Sequence, residues 1–421
     1  MSGAPLGVAQ VFERILGSRS ELAINAYDGS TSGPADASIG IEVRSPLAVS
    51  YLLSSPGDLG LARGYVSGQL EIIGDLHTVL HALATQVDEL STRDRLWLLR
   101  ELGPRYLRRV PLPPEELPGR LRRGLHGLRH SKARDSRAIA RHYDVSNRFY
   151  ELVLGPSMAY TCAVFPAEDA TLEQAQAHKF DLVCRKLALK PGMRLLDVGC
   201  GWGGMVKHAA EHFGVHALGV TLSAEQARWA QRDLVANGLG ERAEVRHLDY
   251  RDVPETGFDA ISSIGLTEHI GARRLPSYFA FLSSKLAIHG RLLNHCVTNP
   301  TTRVPHRSRG FIDRYVFPDG ELEAVGEIVS AMQDNGFEVR HVENLREHYA
   351  ATLAAWCANL EAGWPEAVAE AGAGRGRVWA LYMAACRLAF ERHELELNQV
   401  LGVRADVDGA AAMPLRPDWG V

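Results

Sequence analysis

The run Asp197-Val-Gly-Cys-Gly-Trp-Gly-Gly204 sets an acid at the end of a short apolar stretch and follows it with four glycines. Glycine lets a backbone take positive φ and approach a ligand without a Cβ in the way. Open α/β sheets bind ligands at the carboxyl ends of their strands, where strand order reverses. Here an acid stands two residues before the first glycine, which suits a compact aminoacyl nucleoside better than a pyrophosphate. Thr221-Leu-Ser-Ala-Glu-Gln226 and Asp249-Tyr250 follow the next two strand-like runs, where ribose and base would lie. Together these stretches favour S-adenosylmethionine over a dinucleotide. The cofactor candidates are Asp197, Gly199, Gly201, Gly203, Thr221, Leu222, Ser223, Gln226, Asp249 and Tyr250. Asp249 is placed for the adenine amino group, with a surface-turn role as its alternative. An acid at the end of the second strand, common in methyltransferases, is missing, so polar groups from Thr221 to Gln226 must serve the ribose.

Elements that could hold this loop alternate along the chain. Leu172 to Leu187 reads as an amphipathic helix ending before Lys190-Pro-Gly192, and Arg194 to Val198 as a strand. Met205 to Phe213 reads as a helix and Val215 to Val220 as a strand. Ser223 to Asn237 reads as a helix with Ser223 at its N-cap and Gln226 at the third position. Val245–Leu248, Phe258–Ile264 and Gly290–His295 supply further strands. Strands separated by helices predict a parallel sheet covered on both faces, a doubly wound Rossmann-like α/β domain. A smaller α+β domain precedes it, over residues 1–110. There Arg44 to Leu53 and the Gly-rich Pro56 to Gly64 suggest short strands and turns, and helices are expected at Leu76–Gln86 and Arg93–Leu102.

At 421 residues the chain exceeds one ordinary domain, and 46% hydrophobic with 23% charged residues is globular composition. A net charge of −4 gives no global reason to expect nucleic acid. No run approaches the roughly 20 apolar residues that span a bilayer. The N-terminus lacks a basic region followed by an apolar run, so no secretory signal is expected. Six scattered cysteines without a CxxC pair read as reduced thiols of a cytoplasmic protein, not as disulfides or a metal site. One segment is locally basic. Arg105 to Arg141 carries eleven Lys/Arg against three acids and is rich in proline, marking a linker at 111–136 between the first domain and a second at 137–421. Leu121, Leu125 and Leu128 lie at helical spacing beside Arg120, Arg122 and Arg123. That pattern suits an anionic membrane surface at the inner face of the membrane, or an ordinary solvated connecting helix.

Six ordered motifs now carry a resemblance: His142 to Tyr150, Met158-Ala-Tyr-Thr-Cys-Ala163, Asp197 to Gly204, Thr221 to Gln226, Glu268-His-Ile-Gly271 and Arg314-Tyr-Val-Phe-Pro318. They resemble the cyclopropane fatty acid synthase and mycolic acid methyltransferase family, from about Arg137 to Glu394. Ala26 to Ser30, Pro56 to Gly68, Ser263 to Gly271 and Leu292 to Cys296 are similar to the actinobacterial 10-methylene fatty acid synthases of the tuberculostearate pathway. The resemblance implies methyl transfer to an oleoyl chain in phospholipid, leaving a 10-methylene stearoyl chain that a separate reductase then reduces. It adds Tyr160 and Thr161 to the cofactor set. It also implies a bound bicarbonate ion as base, held by Cys162, Glu268, His295, the backbone at Val297, and Tyr349. Thr267 stands where ordinary cyclopropane synthases usually carry an aromatic residue before the Glu-His pair, which puts ring closure in doubt.

An alkene is a weak nucleophile, so an electrophilic methyl must be held close to it, in an apolar site that excludes water. The resulting carbocation needs a base. Proton loss from the new methyl beside the cation closes a cyclopropane; a prior hydride shift gives an exomethylene group. Taken singly, each residue has a plainer role: Cys162 a small buried hydrophobe, His295 a satisfied core histidine, Glu268 a helix cap, Tyr349 an interfacial aromatic. Cys386 reads as core. The rival expectations are a cyclopropane-forming phospholipid synthase with the same site and, in another class, a non-catalytic lipid- or cofactor-binding protein. A homodimer would let one protomer's first domain anchor its partner.

Overall fold

The computed structural model describes residues 6–16, 21–55, 57–86, 97, 101, 106, 110–117, 145–304, 310–318 and 320–420. The basic stretch with Arg120, Arg122 and Arg123, most of the linker, and most of the helix expected at Arg93–Leu102 lie outside the described residues. Two compact units are present. One falls within 1–119 and takes in 309–318 and 360–388; the other falls within 120–308, 319–359 and 389–421.

The first unit contains a sheet of β1 (Ala23–Ala26), β2 (Thr31–Ser32), β3 (Gly40–Val43) and β4 (Leu70–Ile73) in the order β2-β1-β3-β4. Its apolar core gathers Val8, Val11, Phe12, Ile24, Ile41, Val43 and Val79. The helix expected at Leu76–Gln86 forms with those bounds. The strands and turns expected between Arg44 and Gly64 do not form; the chain makes helices Pro46–Ser54 and Asp58–Val66 instead. Ser45 caps the first, its hydroxyl accepting from the Leu47 N–H, and Pro46 opens it. Two of the three glycines that suggested turns serve close packing, while Gly57 takes φ of 92° ahead of the second helix. A Cβ on Gly60 would lie 2.2 Å from the Ser55 carbonyl oxygen, and one on Gly64 2.6 Å from Leu70 Cδ1.

Ion pairs explain why two distant segments join this unit. The carboxylate of Glu116, its side chain fully buried, receives Arg63 Nε and Nη2 at 2.7 and 2.8 Å, and it also pairs with Arg314. Tyr315 donates its hydroxyl to the same group at 3.2 Å. Arg377 donates to both oxygens of Glu71, at 3.1 and 2.6 Å. The Arg314–Pro318 motif thus belongs to the first unit's ion-pair cluster, although in sequence it follows the second unit's strands.

The second unit contains, among the described residues, a seven-stranded sheet: β5 (Arg194–Val198), β6 (His216–Thr221), β7 (Ala243–His247), β8 (Phe258–Ile264), β9 (Leu286–Thr298), β10 (Glu338–Asn344) and β11 (Glu396–Val403). The order is β10-β11-β9-β8-β5-β6-β7. β7, β6, β5, β8 and β9 pair in parallel, as expected. The wholly parallel sheet does not extend to the far edge, because β11 inserts antiparallel to both β9 and β10. Alternate residues of each strand feed two cores. Leu195 and Ala217 pack with helices Leu172–Lys186, Gly204–Phe213 and Ala224–Ala236, whereas Leu196, Val198, Leu218 and Val220 pack with helices Leu275–Lys285 and Val325–Gln333. Strand order reverses at β5, whose neighbours are β6 and β8, and the glycine loop leaves from its carboxyl end. No described helix is long and apolar enough to cross a membrane.

Candidate active site

Gly199, Gly201 and Gly203 take φ of 76°, 54° and 79°, so the loop needs the conformations that glycine adopts freely. The N–H groups of Gly199 and Cys200 both donate to the Val220 carbonyl, at 2.9 and 3.0 Å, pinning the loop to the next strand. A Cβ on Gly203 would meet Ala230 at 3.0 Å and one on Gly204 would meet Phe180 at 2.9 Å, whereas one on Gly201 would point into open space. Gly201 is also on the wall of a cavity beside the loop. Tyr160, Thr161, Asp197, Gly199, Gly201 and Gln226, all expected from sequence, line it.

Other expected residues stand behind or beside this lining. Thr221 donates its hydroxyl to Gln226 Oε1 at 2.8 Å, which turns the amide nitrogen away. That nitrogen is buried and finds no partner among the described residues, a donor ready for a ligand. Ser223 caps its helix by accepting from the Gln226 N–H at 3.3 Å, as the sequence predicted. The Leu222 carbonyl contacts His247 Nε2 at 3.1 Å. Gly203 starts the helix after the loop. Asp249 has its carboxylate engaged by Arg251, through the backbone N–H at 3.0 Å and Nε at 2.7 Å, and Tyr250 packs edge-on against Tyr278.

Buried Asp197 accepts from the Ser262 hydroxyl at 2.6 Å; burial raises its carboxyl to about 6 against the pull of that bond and of Lys179. Sequence reasoning missed Lys179. It lines the cavity, fully buried, with Nζ donating to Thr161 Oγ1 at 2.9 Å and lying 3.8 Å from the centre of the Phe180 ring. Burial lowers its ammonium to about 7, opposed by Cys162 and Asp197. A signal was present: Leu172, Ala175, Lys179, Val183 and Lys186 share the buried face of one helix at spacings of three and four, and lysine is foreign to such a stripe.

Of the side chains expected to hold the base, one sits on a neighbouring strand. His295, on β9, is buried and faces Gln399 on β11. Lys186 donates Nζ to Gln399 Oε1 at 2.7 Å, and Gln399 Nε2 lies 3.2 Å from His295 Nδ1. An ammonium can only donate, so it holds the amide oxygen toward itself and the amide N–H toward the ring. Nδ1 therefore accepts, and the proton of the neutral ring is placed on Nε2. Burial holds the imidazole well below its ordinary value, helped by Lys179 and Lys186, so it stays neutral. Its Nε2 has no partner among the described residues.

Glu268 lies in the short turn Thr267–His269 after β8. Its Oε1 accepts from the Val297 N–H at 2.7 Å, while Oε2 is buried with no partner among the described residues. Burial raises this carboxyl to about 7, against the lowering effect of the Val297 bond. Val297 thus serves Glu268 directly. Cys162 is fully buried with Sγ–H directed to the Ala163 carbonyl at 3.1 Å, and burial pushes its thiol up, out of thiolate range. Tyr349 packs 4.7 Å from Phe390 and 6.1 Å, edge-on, from Trp356. Tyr160 of the cavity lies 5.4 Å from the same indole. Gly265, also on the cavity wall, donates its N–H to the His295 carbonyl at 2.8 Å. Through these two links the cavity adjoins the expected catalytic set.

A sheet of this order, with a glycine loop and a cavity at its reversal, is that of the S-adenosylmethionine-dependent methyltransferase class. The profile of the mycolic acid cyclopropane synthetase family matches residues 130–400. A probable fatty acid methyltransferase of Mycobacterium tuberculosis is 52% identical over 426 residues, covering 100% of both chains. The cyclopropane-fatty-acyl-phospholipid synthase of Escherichia coli is 36% identical, over 64% of this chain and 68% of its own. The mycolic acid cyclopropane synthase CmaA1, solved in complex with SAH and CTAB, superposes with a TM-score of 0.60 at 34% identity, covering 64% of this chain and 98% of that one. The chain belongs to the mycolic acid cyclopropane synthetase family.

Proposed function

We propose that this protein methylates the double bond of an oleoyl chain in phospholipid and releases a 10-methylene stearoyl chain. The carrying observation is the pair of buried, unpartnered atoms: the Nε2–H of neutral His295, a donor, and Oε2 of Glu268, whose carboxyl is raised to about 7. The unpartnered Gln226 nitrogen, the donors of Lys179 and Thr161, and the open side of Gly201 fit an aminoacyl nucleoside. When bound there, S-adenosylmethionine supplies an electrophilic methyl group. The alkene π electrons would form the new C–C bond as the S–methyl bond breaks and S-adenosylhomocysteine leaves, with positive charge developing on the adjacent carbon. A hydride shift to that carbon makes the cation tertiary, and loss of a proton from the new methyl leaves the exomethylene group.

Neither Glu268 nor His295 needs to reach that proton itself. Between them they would hold a bicarbonate ion, whose chemistry at this place is to take the proton. His295 would donate to it, and Glu268 would accept from its hydroxyl. Tyr349 completes the proposed set, while the Val297 N–H and the Cys162 thiol keep Glu268 and the local backbone in place. Thr267 favours the open-chain product: its hydroxyl donates to Asn294 Oδ1 at 2.6 Å, putting a satisfied polar pair where related ring-forming enzymes carry an aromatic face. The peripheral partner would be an anionic membrane at the cytoplasmic face, engaged by Arg120, Arg122 and Arg123, and a separate reductase would act on the product. Unchanged vesicle binding after neutralising these arginines would remove the membrane contact.

Incubation with S-adenosylmethionine and dioleoyl phospholipid vesicles tests the reading. Proton NMR of the recovered lipid should show vinylidene signals in the olefinic region. Upfield ring protons would replace the reading with cyclopropane formation, and absence of cofactor turnover would favour a binding protein. Carbon dioxide-free buffer should slow the reaction and added bicarbonate should restore it; an unaffected rate removes the ion.

A further inference from the structure

We propose that Lys179 binds the carboxylate at the amino-acid end of the cofactor, acting together with Thr161. The proposal rests on S-adenosylmethionine as the cofactor and adds a residue to the walls that receive it.

Both side chains line the cavity. Lys179 is fully buried, and among the described residues no acid comes within ion-pairing distance of its Nζ. An ammonium carries three donors, of which Thr161 Oγ1 takes one at 2.9 Å. The face of Phe180 covers part of the group at 3.8 Å. A buried cation with one hydrogen bond and no paired anion is costly, and a leucine or methionine would complete the same apolar stripe without that cost. Asp197, the acid on the same cavity wall, directs one oxygen to Ser262 and acts on Lys179 from further off.

The charge that Lys179 lacks is one that the cofactor brings. Its amino-acid end carries a single anionic group, and the rest of the molecule is cationic at the sulfonium and the amine. Thr161 accepts from Lys179, so its own hydroxyl proton is free to donate to the same carboxylate. A charged donor and a neutral one then converge on that group, a combination that also orients it. The cost of burying the ammonium is met only when ligand is present, so the lysine discriminates by ligand charge.

The test compares two ligands by isothermal titration at pH 6.5: S-adenosylhomocysteine, and its decarboxylated analogue 5′-deoxy-5′-(3-aminopropylthio)adenosine. The wild-type chain should prefer the first by about tenfold or more, the worth of one charged hydrogen bond. Lys179→Met should abolish the preference by weakening S-adenosylhomocysteine while leaving the analogue unchanged, and Lys179→Arg should restore part of it. Thermal unfolding of unliganded Lys179→Met should be no lower than wild type. Equal weakening of both ligands, or a wild-type chain that binds both alike, would overturn the proposal, the second result needing no variant at all. A wild-type chain that binds neither ligand would overturn the cofactor reading itself.

Discussion

The cavity and the proposed proton-handling residues adjoin at Gly265 and Trp356, yet they are built on opposite plans. The cavity takes a large share of its wall from one loop of eight consecutive residues whose glycines turn, dock and leave room. The second is made by polar side chains from the turn after β8 and from β9 and β11, with Gln399 lying 104 residues beyond His295 in the chain. The first arrangement requires local conformation. The second requires that a whole sheet be in register before any donor or acceptor points usefully.

That contrast predicts different failures. The largest concerns the proton site. Glu268→Gln should lower turnover by roughly two to four orders of magnitude, the usual worth of a positioned acid–base group. Affinity for S-adenosylhomocysteine should stay within about twofold. Parallel losses in both would show that the two sites are not separable. Next, Gly201→Val puts a branched side chain on the cavity wall where φ is +54°. Binding of S-adenosylhomocysteine, followed by titration calorimetry, should weaken by at least about tenfold, with a stability loss of order 1–3 kcal/mol from the strained residue. A protein that unfolds but binds normally under stabilising conditions would move that glycine's importance from ligand to loop.

The smallest effect is in stability against pH. The Glu268 carboxyl rises from its ordinary 4.5 to about 7 in the fold. Between those values the folded state holds a proton that the unfolded chain releases, so this group's contribution falls as pH climbs from about 4.5 through about 7. Glu268→Gln lacks the step. Its melting temperature relative to wild type should therefore rise across that window and somewhat beyond it, because Glu323 is raised by burial, by Glu321 and in part by the Glu268 charge, and is relieved when that last charge is removed. A gap independent of pH would mean that Glu268 is ionised in the fold throughout.

The same contrast explains what could be read from sequence. β5, β8 and the helices from Leu172 and Ser223 announced themselves through apolar period and caps, and the glycine loop through spacing. β11 did not, because Asn398 and Gln399 break its apolar run; they are polar because they bond Thr298, Lys186 and His295. The helix Asp58–Val66 reads as turns in the sequence, since a glycine chosen for close packing looks the same as one chosen for φ. Glu268 and His295 were legible only through the ordered motifs of the family. Spacing alone carries no information about which buried histidine lacks a partner. Lys179 needed only a stricter question about charge on an apolar helix face.

The Lys186–Gln399–His295 chain also orders events in time. Gln399 belongs to the final strand described, so it leaves the ribosome after the whole glycine loop and after His295 itself. The choice of tautomer at His295 arrives only when β11 slots between β9 and β10.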